Sequence, residues 1–279
     1  MIDAAMHKEM LTALQWYADN GVHEIILDEA QDYTVMPAEV PPAEIVASLR
    51  DTMPPPPQEQ AAPAFLGKSD ARVEAIKLAK SASTLEELKE AIASFDGIGI
   101  KKTASNLVFA DGNPKARIMV IGEAPGADED REGKPFAGAC GHLLDKILAC
   151  IGLSRSTEDV KDAVYLTNIL NWRPPGNRTP SPAEIEVSVP FIERHIQLIQ
   201  PDLLILFGAI SAKSLLASDT GISRLRRTSH EYKTLTQDIG QEIKIPAFPT
   251  YHPQFLLNTP MQKRAVWEDM LKIKQKIQK

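Results

Sequence analysis

The sequence predicts an α/β protein in which helices cover both faces of a central, mainly parallel sheet. Three observations indicate this fold class. Apolar runs of four or five residues recur along the chain, segments with helical apolar spacing separate them, and turn-forming residues follow them directly. Strands that alternate with helices usually form a parallel sheet buried on both faces. We therefore expect a three-layer α/β/α domain with a central four-stranded sheet over residues 70–279, preceded by a helical N-terminal extension.

The N-terminal extension divides into two segments of different composition. Residues 1–36 contain a stretch, 9–20, with helical apolar spacing, and Gly21 is a plausible end for that helix. Residues 37–69 are rich in proline, including four consecutive prolines at 54–57. Such a composition favours an extended, semi-rigid linker. The sequence thus predicts an acidic helical arm at 1–36 and a Pro-rich linker at 37–69.

Within the main domain, the predicted elements alternate from about residue 117 onward. Two helices come first, and Ser83 and Thr84 stand near the N-cap of the second. Pro182 opens a later helix, where the fixed φ of proline suits the first turn. The predicted elements are helices at 72–81 and 84–94, a strand at 117–121, a helix at 141–151, a strand at 164–170, a helix at 182–200, a strand at 203–207, a helix at 211–216, a strand at 245–250 and a helix at 262–278.

The negative charge of the chain is concentrated in its N-terminal segment. The whole sequence carries a net charge of -6, yet residues 1–60 contain eleven acidic and only two basic residues. The remaining residues therefore carry a small net positive charge of +3. This distribution leaves binding of nucleic acid by the main domain open, without being evidence for it.

The cysteines and the hydropathy of the sequence predict a protein of a reducing compartment. Cys140 and Cys150 are the two cysteines, ten residues apart in one predicted helix, which separates them too far for a disulfide. We expect both to be small core residues. No apolar run is long enough to span a membrane, and the first residues lack the pattern of a secretory signal. We therefore expect a cytoplasmic protein without membrane contact.

Residues capable of chemistry follow four of the predicted strands. Glu123 lies in a Gly-Glu-Ala-Pro-Gly turn, Asn168 ends the second strand, Gly208 follows the third, and His252 follows the fourth. Each has an ordinary explanation, as a solvated acid, a turn former, a helix cap or a surface imidazole. In a parallel sheet, however, all four strand ends lie at the same edge, where ligands bind. Their convergence predicts one functional site.

Three of these segments resemble motifs of the family 4 uracil-DNA glycosylases. The string Gly-Glu-Ala-Pro-Gly-Ala-Asp-Glu-Asp-Arg-Glu-Gly-Lys-Pro-Phe at 122–136 is similar to the first motif of that family. Thr167 and Asn168, with Arg-Pro-Pro-Gly-Asn-Arg at 173–178, resemble the central motif, and the segment 252–257 resembles the DNA-insertion motif. The resemblance runs in order from about Asn106 to the last helix and does not extend to the N-terminal arm.

The resemblance implies a role for each residue of a uracil pocket. Phe136 would stack on a flipped uracil, and Asn168 would read its O4 and N3–H. Glu129 would exclude the methyl group of thymine. His252 would stabilise the departing uracil anion by donating to O2. Glu123, together with the backbone turn at Ala124, would position the attacking water or stabilise the sugar cation.

The resemblance also implies contacts with DNA outside the pocket. Leu256, Leu257 or Phe255 would fill the space that the flipped nucleotide leaves in the duplex. Arg173 and Arg178 of the central motif are expected to face the DNA. A short basic cluster formed by Arg224, Arg226 and Arg227 is an alternative phosphate contact, and a solvated charge run explains it equally well.

The sequence departs from the family at the positions of its iron–sulfur cluster. Most family 4 enzymes bind a 4Fe–4S cluster through four cysteines, and the corresponding positions here are near Ile98, Lys101, Trp172 and Ser188. Because a cluster needs thiolate ligands, we predict no cluster, no other metal and no cofactor. Ile98 and Trp172 are expected to fill the space. The segment 173–180 also lacks the histidine with which a related group traps DNA covalently, so we expect turnover.

The sequence therefore predicts a monofunctional uracil-DNA glycosylase of base excision repair, acting as a monomer on uracil-containing DNA in the cytoplasm, at the nucleoid. Three alternatives stay open: a non-catalytic protein that binds damaged DNA, a glycosylase for other deaminated bases, and an α/β hydrolase that binds phosphate in the loop 122–126. That loop lacks the Gly-Lys-Ser/Thr ending of a P-loop. The acidic, tethered arm is expected to dock a protein partner.

Overall fold

Six strands form one mixed sheet in the computed structural model, which describes residues 70–237 and 239–278. The predicted arm at 1–36 and linker at 37–69 lie outside the described residues. The strands are β1 (Asp111–Gly112), β2 (Ile118–Gly122), β3 (Val164–Asn168), β4 (Leu203–Phe207), β5 (His230–Lys233) and β6 (Lys244–Thr250). Their order across the sheet is β1-β3-β2-β4-β6-β5.

The four central strands are parallel, as the sequence predicts. β2 pairs with β3 on one side and with β4 on the other, and β4 pairs with β6. Every residue of β2, β3 and β4 is buried, which is typical of parallel strands covered on both faces. Ile121 is in register with Thr167 and Leu206. The strand ends that carry the candidate residues therefore lie at one edge.

The sequence analysis missed the two antiparallel edge strands. β1 has only two residues, and β5 has the polar sequence His-Glu-Tyr-Lys, in which Tyr232 alone is buried. Neither shows an apolar run or alternation long enough to signal a strand. β1 forms because it pairs with the free edge of β3, and β5 forms because it pairs with the free edge of β6.

Nine helices and three 3-10 turns accompany the sheet in the described part of the chain. The helices are α1 (Asp70–Ser81), α2 (Leu85–Ser94), α3 (Ala127–Glu132), α4 (Gly138–Ala149), α5 (Pro182–Ile199), α6 (Ala209–Leu216), α7 (Ile222–Leu225), α8 (Pro253–Asn258) and α9 (Lys263–Ile277). The 3-10 turns are Gly99–Lys102, Pro175–Asn177 and Pro260–Gln262. None of the described helices is both long and apolar enough to cross a membrane.

Successive residues of β2 contribute to two separate hydrophobic cores. Met119 and Ile121 belong to a core with buried residues of α1, α2, α5 and α6, whereas Ile118 and Val120 belong to a core with α4, α8 and α9. Because side chains alternate along a strand, the sheet has one core on each face. This arrangement confirms the three-layer α/β/α architecture.

Helix starts follow their predicted signals closely. Thr84 caps α2, its hydroxyl accepting from the backbone N–H of Glu87 at 3.1 Å. Ser181 caps α5 in a capping box with Glu184, and Pro182 takes the first helical position. The short helices α3, α7 and α8 were not predicted, because four to six residues are too few to show a helical period.

Candidate active site

A cavity of about 570 Å³ opens at the carboxyl edge of the parallel strands. Its walls come from the loop after β2, the start of α4, the segment after β3 and the start of α8. Residues that line it include Glu123, Ala124, Glu129, Arg178, His252 and Leu257. Residues of all three resembling motifs thus border one cavity, although more than a hundred residues separate the first motif from the third.

Glu123 lies against the first turn of α6. The backbone N–H of Ile210 donates to its Oε1 at 2.8 Å. Gly208, with φ of +103°, precedes the helix, and a side chain there would overlap the carboxylate. Burial raises the pKa of Glu123, while the N–H groups of Ile210 and Ala209 partly offset this effect. The carboxylate is therefore fixed in the cavity wall by the start of a helix.

The buried carboxylate of Glu129 accepts hydrogen bonds from the backbone of the segment that follows β2. The backbone N–H of Gly126 donates to its Oε2 at 2.6 Å, and that of Phe136 donates to its Oε1. The amide Nδ2 of Asn168 lies 3.5 Å from the same Oε1. Burial raises the pKa of Glu129, and these hydrogen bonds act in the opposite direction. Glu129 thus links the loop after β2 to the end of β3.

Phe136 and Asn168 do not line this cavity, but both donate to Glu129 in its wall. Each is only 1 % exposed. Both pack on the backbone of Gly122, where a Cβ would overlap the Asn168 amide. The Oδ1 of Asn168 is buried and has no hydrogen-bond partner among the described residues. A buried acceptor without a donor costs about 1–3 kcal/mol, so the arrangement favours a ligand that brings an N–H to this point.

His252 is the N-cap of α8 and packs near Phe136. Its Nδ1 accepts from the backbone N–H of Gln254 at 3.2 Å, which leaves Nε2 as the protonated nitrogen of the neutral ring. Burial lowers the pKa of His252 to about 4. The rings of His252 and Phe136 are nearly parallel, with centroids 5.6 Å apart. At neutral pH the site therefore contains an uncharged imidazole that can donate through Nε2.

The predicted insertion residues differ in exposure. Phe255 is 42 % and Leu257 is 37 % exposed, whereas Leu256 is fully buried in the core that includes α4 and α9. All three lie on α8 rather than on a loop. Leu257 borders the cavity, and the ring of Phe255 packs against Tyr251 with centroids 5.1 Å apart.

The arginines of the central motif already have protein partners. Arg178 forms two hydrogen bonds with the carboxylate of Glu184, at 2.9 and 2.6 Å. Arg173 donates through Nε to Asn177 at 2.7 Å. Both side chains are partly exposed at the cavity side of the molecule, so a phosphate can compete for them.

The basic cluster after α6 is not a continuous surface. The side chain of Arg226 is 8 % exposed and pairs with Asp269, with Nε 2.8 Å from Oδ2. Asp269 also accepts from Thr250, two residues before His252, at 2.9 Å. Arg224 and Arg227 remain exposed. Arg226 therefore stabilises the end of β6, which leaves Arg224 and Arg227 as the exposed members of the cluster.

The prediction that both cysteines are core residues is wrong for Cys150, whereas Cys140 is partly buried and packs against the core. Cys140 is half-buried and lines the cavity, and Cys150 is exposed just after the end of α4. Their spacing along one helix did not reveal which faces they occupy. Burial raises the pKa of the Cys140 thiol to about 12, so this side chain is an uncharged part of the cavity wall.

The positions that correspond to cluster ligands do not offer a suitable donor set. Ile98 and Trp172 are buried in the core with α1, α2 and α5. Lys101 pairs with Asp96 at 2.7 Å, and the hydroxyl of Ser188 donates to the Glu184 carbonyl at 2.8 Å. Residues 70–237 and 239–278 contain no cluster of His, Cys, Asp and Glu arranged to hold a metal ion. These residues do not fit an iron–sulfur cluster, which requires thiolates.

The chain is similar in sequence to several known proteins. Residues 109–271 match the family described as the uracil DNA glycosylase superfamily. The chain is 36% identical over 197 residues to the type-4 uracil-DNA glycosylase of Sulfurisphaera tokodaii, covering 69% of this chain and 84% of that protein. It is 37% identical over 194 residues to the type-4 enzyme of Archaeoglobus fulgidus, covering 68% and 92%. The type-5 uracil-DNA glycosylase of Thermus thermophilus is 33% identical over 131 residues, covering 44% and 58%.

Proposed function

The chain belongs to the uracil DNA glycosylase superfamily, and we propose that it is a monofunctional uracil-DNA glycosylase of DNA repair that hydrolyses the bond between uracil and deoxyribose. One observation carries the proposal. A neutral imidazole donor and a fixed carboxylate line one cavity at the sheet edge, and a buried amide with an unpaired acceptor donates to Glu129 in the wall of that cavity. They belong to His252, Glu123 and Asn168. Together they provide leaving-group stabilisation, a group that acts on water or sugar, and base recognition.

Recognition of uracil rests on the orientation of the Asn168 amide. Glu129 accepts from Nδ2, which directs Oδ1 away from it. In this orientation Oδ1 accepts from the uracil N3–H and Nδ2 donates to O4. Cytosine presents the opposite donor and acceptor at these atoms and leaves buried groups mismatched, at about 1–3 kcal/mol each. We assign to Glu129, which accepts from Asn168, the exclusion of a methyl group at C5.

The target base reaches this pocket only when its nucleotide is flipped out of the stack. Phe136 provides the apolar surface on which the flipped base stacks. Its ring lies against His252 and next to the Asn168 amide, so stacking, edge reading and leaving-group contact involve the same base. Since Phe136 and Asn168 are each only 1 % exposed and do not line the cavity, base entry requires displacement of the side chains that cover them, including the His252 ring stacked on Phe136.

The chemical step forms a cation-like sugar and a uracil anion. His252 donates through Nε2 to the uracil O2, where negative charge develops, and remains neutral itself. We assign to Glu123 the orientation of the attacking water or the stabilisation of the sugar cation, because it lines the cavity together with Ala124. Once the base has entered, the starts of α8 and α6 hold the two groups in place for the chemical step.

DNA contacts surround the mouth of the cavity. We assign the insertion into the duplex to Leu257 and Phe255, which are exposed, rather than to Leu256, which is buried. An apolar wedge of this kind compensates for the stacking that the flipped nucleotide loses. Arg173 and Arg178 contact backbone phosphates after releasing Asn177 and Glu184. These contacts position the DNA and carry no sequence information.

Substitution of Leu257 by alanine is expected to slow excision from double-stranded DNA about tenfold and to leave excision from single-stranded DNA within about twofold. Only a duplex contains a vacated space to be filled, and burying a leucine contributes about 1.5–3 kcal/mol. The measurement is single-turnover excision on matched oligonucleotides. Leu271→Ala is the control, because Leu271 has similar exposure, 40 %, on α9. Equal losses on both substrates would show that Leu257 is not a wedge.

The proposed activity is tested with a labelled oligonucleotide that contains one uracil, single-stranded and double-stranded, followed by alkaline cleavage at abasic sites. We expect cleavage of both substrates by the wild-type protein. Binding of uracil-containing DNA without cleavage, by folded protein, would instead support a non-catalytic DNA-binding relative. Cleavage only of substrates with deaminated purines would support a glycosylase for other damaged bases.

We further propose that the protein functions without an iron–sulfur cluster. The support is the chemistry of the four corresponding positions, where apolar packing, an ion pair and a hydrogen-bonded serine replace thiolates. Protein purified from iron-supplied cells should contain no stoichiometric iron or sulfide, and ferricyanide treatment should leave its melting temperature unchanged. A brown protein with about four iron atoms per chain would refute this.

We propose that the chain consists of an arm at 1–36, a linker at 37–69 and a glycosylase domain at 70–279. We further propose that it acts as a monomer on nucleoid DNA in the cytoplasm. The free cysteines support a reducing compartment. The acidity of the arm and the proline-rich linker support a docking role for the arm with a protein partner.

A further inference from the structure

The backbone of Phe136 adopts a conformation that bulky residues avoid. Its φ is +53°, in the left-handed region, although it is a large aromatic residue. Such a conformation is strained for a bulky residue and persists only where surrounding groups enforce it. Since Phe136 is assigned the stacking role, the groups that enforce its conformation bear on catalysis.

Polar groups hold this peptide segment on both sides. The Phe136 N–H donates to the Glu129 carboxylate. The preceding carbonyl, that of Pro135, accepts from Nη1 of Arg155 at 3.2 Å. The Phe136 carbonyl faces Gly141 on α4, where any side chain would overlap it. The segment is therefore pinned by a carboxylate, a guanidinium and a helix surface.

Arg155 is itself fixed by two other elements of the fold. Its Nε lies 2.7 Å from Oδ1 of Asp145 on α4, and its Nη1 lies 3.2 Å from Oδ2 of Asp111 on β1. The side chain is 15% exposed. A planar guanidinium can donate in three directions at once, which an ammonium group cannot do with the same geometry. Asp111 on β1 and Asp145 on α4 thus fix the guanidinium that donates to the Pro135 carbonyl.

We propose that Arg155 is a positioning residue of the glycosylase reaction, which keeps Phe136 in its left-handed conformation with the ring aligned for the flipped base. The inference rests on the proposed stacking role of Phe136. Arg155 does not line the large cavity and touches no reacting group. Its effect on excision is therefore expected through Phe136 and not by direct contact with DNA.

The test is a double-mutant cycle between Arg155 and Phe136. Arg155→Met is expected to lower kcat for uracil excision about tenfold with little change in KM, and Arg155→Lys to restore only part of this loss. Phe136→Ala should cost at least as much. In the double variant the losses should not multiply, because Arg155 acts through a ring that is no longer present. Melting temperatures of all variants are measured in parallel.

The control is Arg117→Met, which removes an arginine that pairs with Asp202 at 2.5 Å near the opposite edge of the sheet. This variant should retain wild-type kcat. If Arg155→Met does not fold, kcat is measured instead for the conservative variants Arg155→Lys and Asp111→Asn. Wild-type kcat in both of these variants would overturn the proposal. Losses that multiply in the cycle would also overturn it, while leaving the glycosylase function intact. Full activity of Phe136→Ala would overturn the stacking role and this inference together.

Discussion

Replacement of His252 by alanine is expected to slow uracil excision about 10²–10³-fold, while the affinity for uracil-containing DNA changes little. The physical reason is that Nε2 donates to an oxygen on which charge develops only in the transition state, and removal of one such donor costs about this much. The measurement is single-turnover excision, with the affinity determined separately on DNA that carries an uncleavable uracil analogue.

A second substitution separates chemistry from stability. His252 also caps α8 through Nδ1, so alanine removes a cap as well as a donor. Asparagine at this position can still cap the helix but is too short to reach the base. His252→Asn should therefore keep the wild-type melting temperature and lose activity like the alanine variant. His230→Ala, on the edge strand β5 and outside the cavity lining, should leave excision unchanged. Wild-type rates in both His252 variants and in Glu123→Ala would exclude the proposed mechanism.

The pH dependence provides an independent check on the charge state of His252. Burial lowers the pKa of His252 to about 4, so the ring is neutral above that pH and becomes protonated only as the pH falls through about 4. The excision rate should consequently show no inflection near pH 6.5, the ordinary value for histidine. An inflection near 6.5 that disappears in His252→Asn would contradict a neutral donor.

Replacement of Asn168 by alanine is expected to reduce uracil excision about 100-fold or more, with affinity for an abasic-site analogue unchanged within about twofold. Two hydrogen bonds to the base are lost, each worth about 1–3 kcal/mol in a buried site. An abasic analogue has no base to read, so its binding is not affected. Equal losses for excision and for abasic-site binding would contradict a reading role.

Asn171 offers a matched control for this substitution. It is a buried asparagine three residues further along, and its Nδ2 donates to the Val108 carbonyl at 3.0 Å. Asn171→Ala should lower stability because it leaves that carbonyl unpaired, yet preserve the preference for uracil over cytosine. Comparison of the two variants distinguishes base recognition from loss of a buried hydrogen bond.

Strong local signals account for the parts of the fold that the sequence predicts correctly. The apolar runs of β2 and β4 appear within one residue of their predicted bounds, and the caps at Thr84 and Ser181 fix two helix starts. The edge strands β1 and β5 and the helix α8 have no comparable signal. They form because the fold supplies a free strand edge, or, for α8, a histidine cap and a core for Leu256.

The sequence by itself determined the parallel sheet, the family and the residues that follow each strand, because these depend on residue order and local periodicity. Only the tertiary structure shows that burial keeps His252 neutral, that Oδ1 of Asn168 has no hydrogen-bond partner and that Arg226 forms an ion pair with Asp269. It also decided that Leu257 is exposed while Leu256 is buried, and that Arg155 holds the Pro135 carbonyl. Burial, hydrogen-bond partners and pKa depend on groups brought together from distant segments, and no local pattern encodes them.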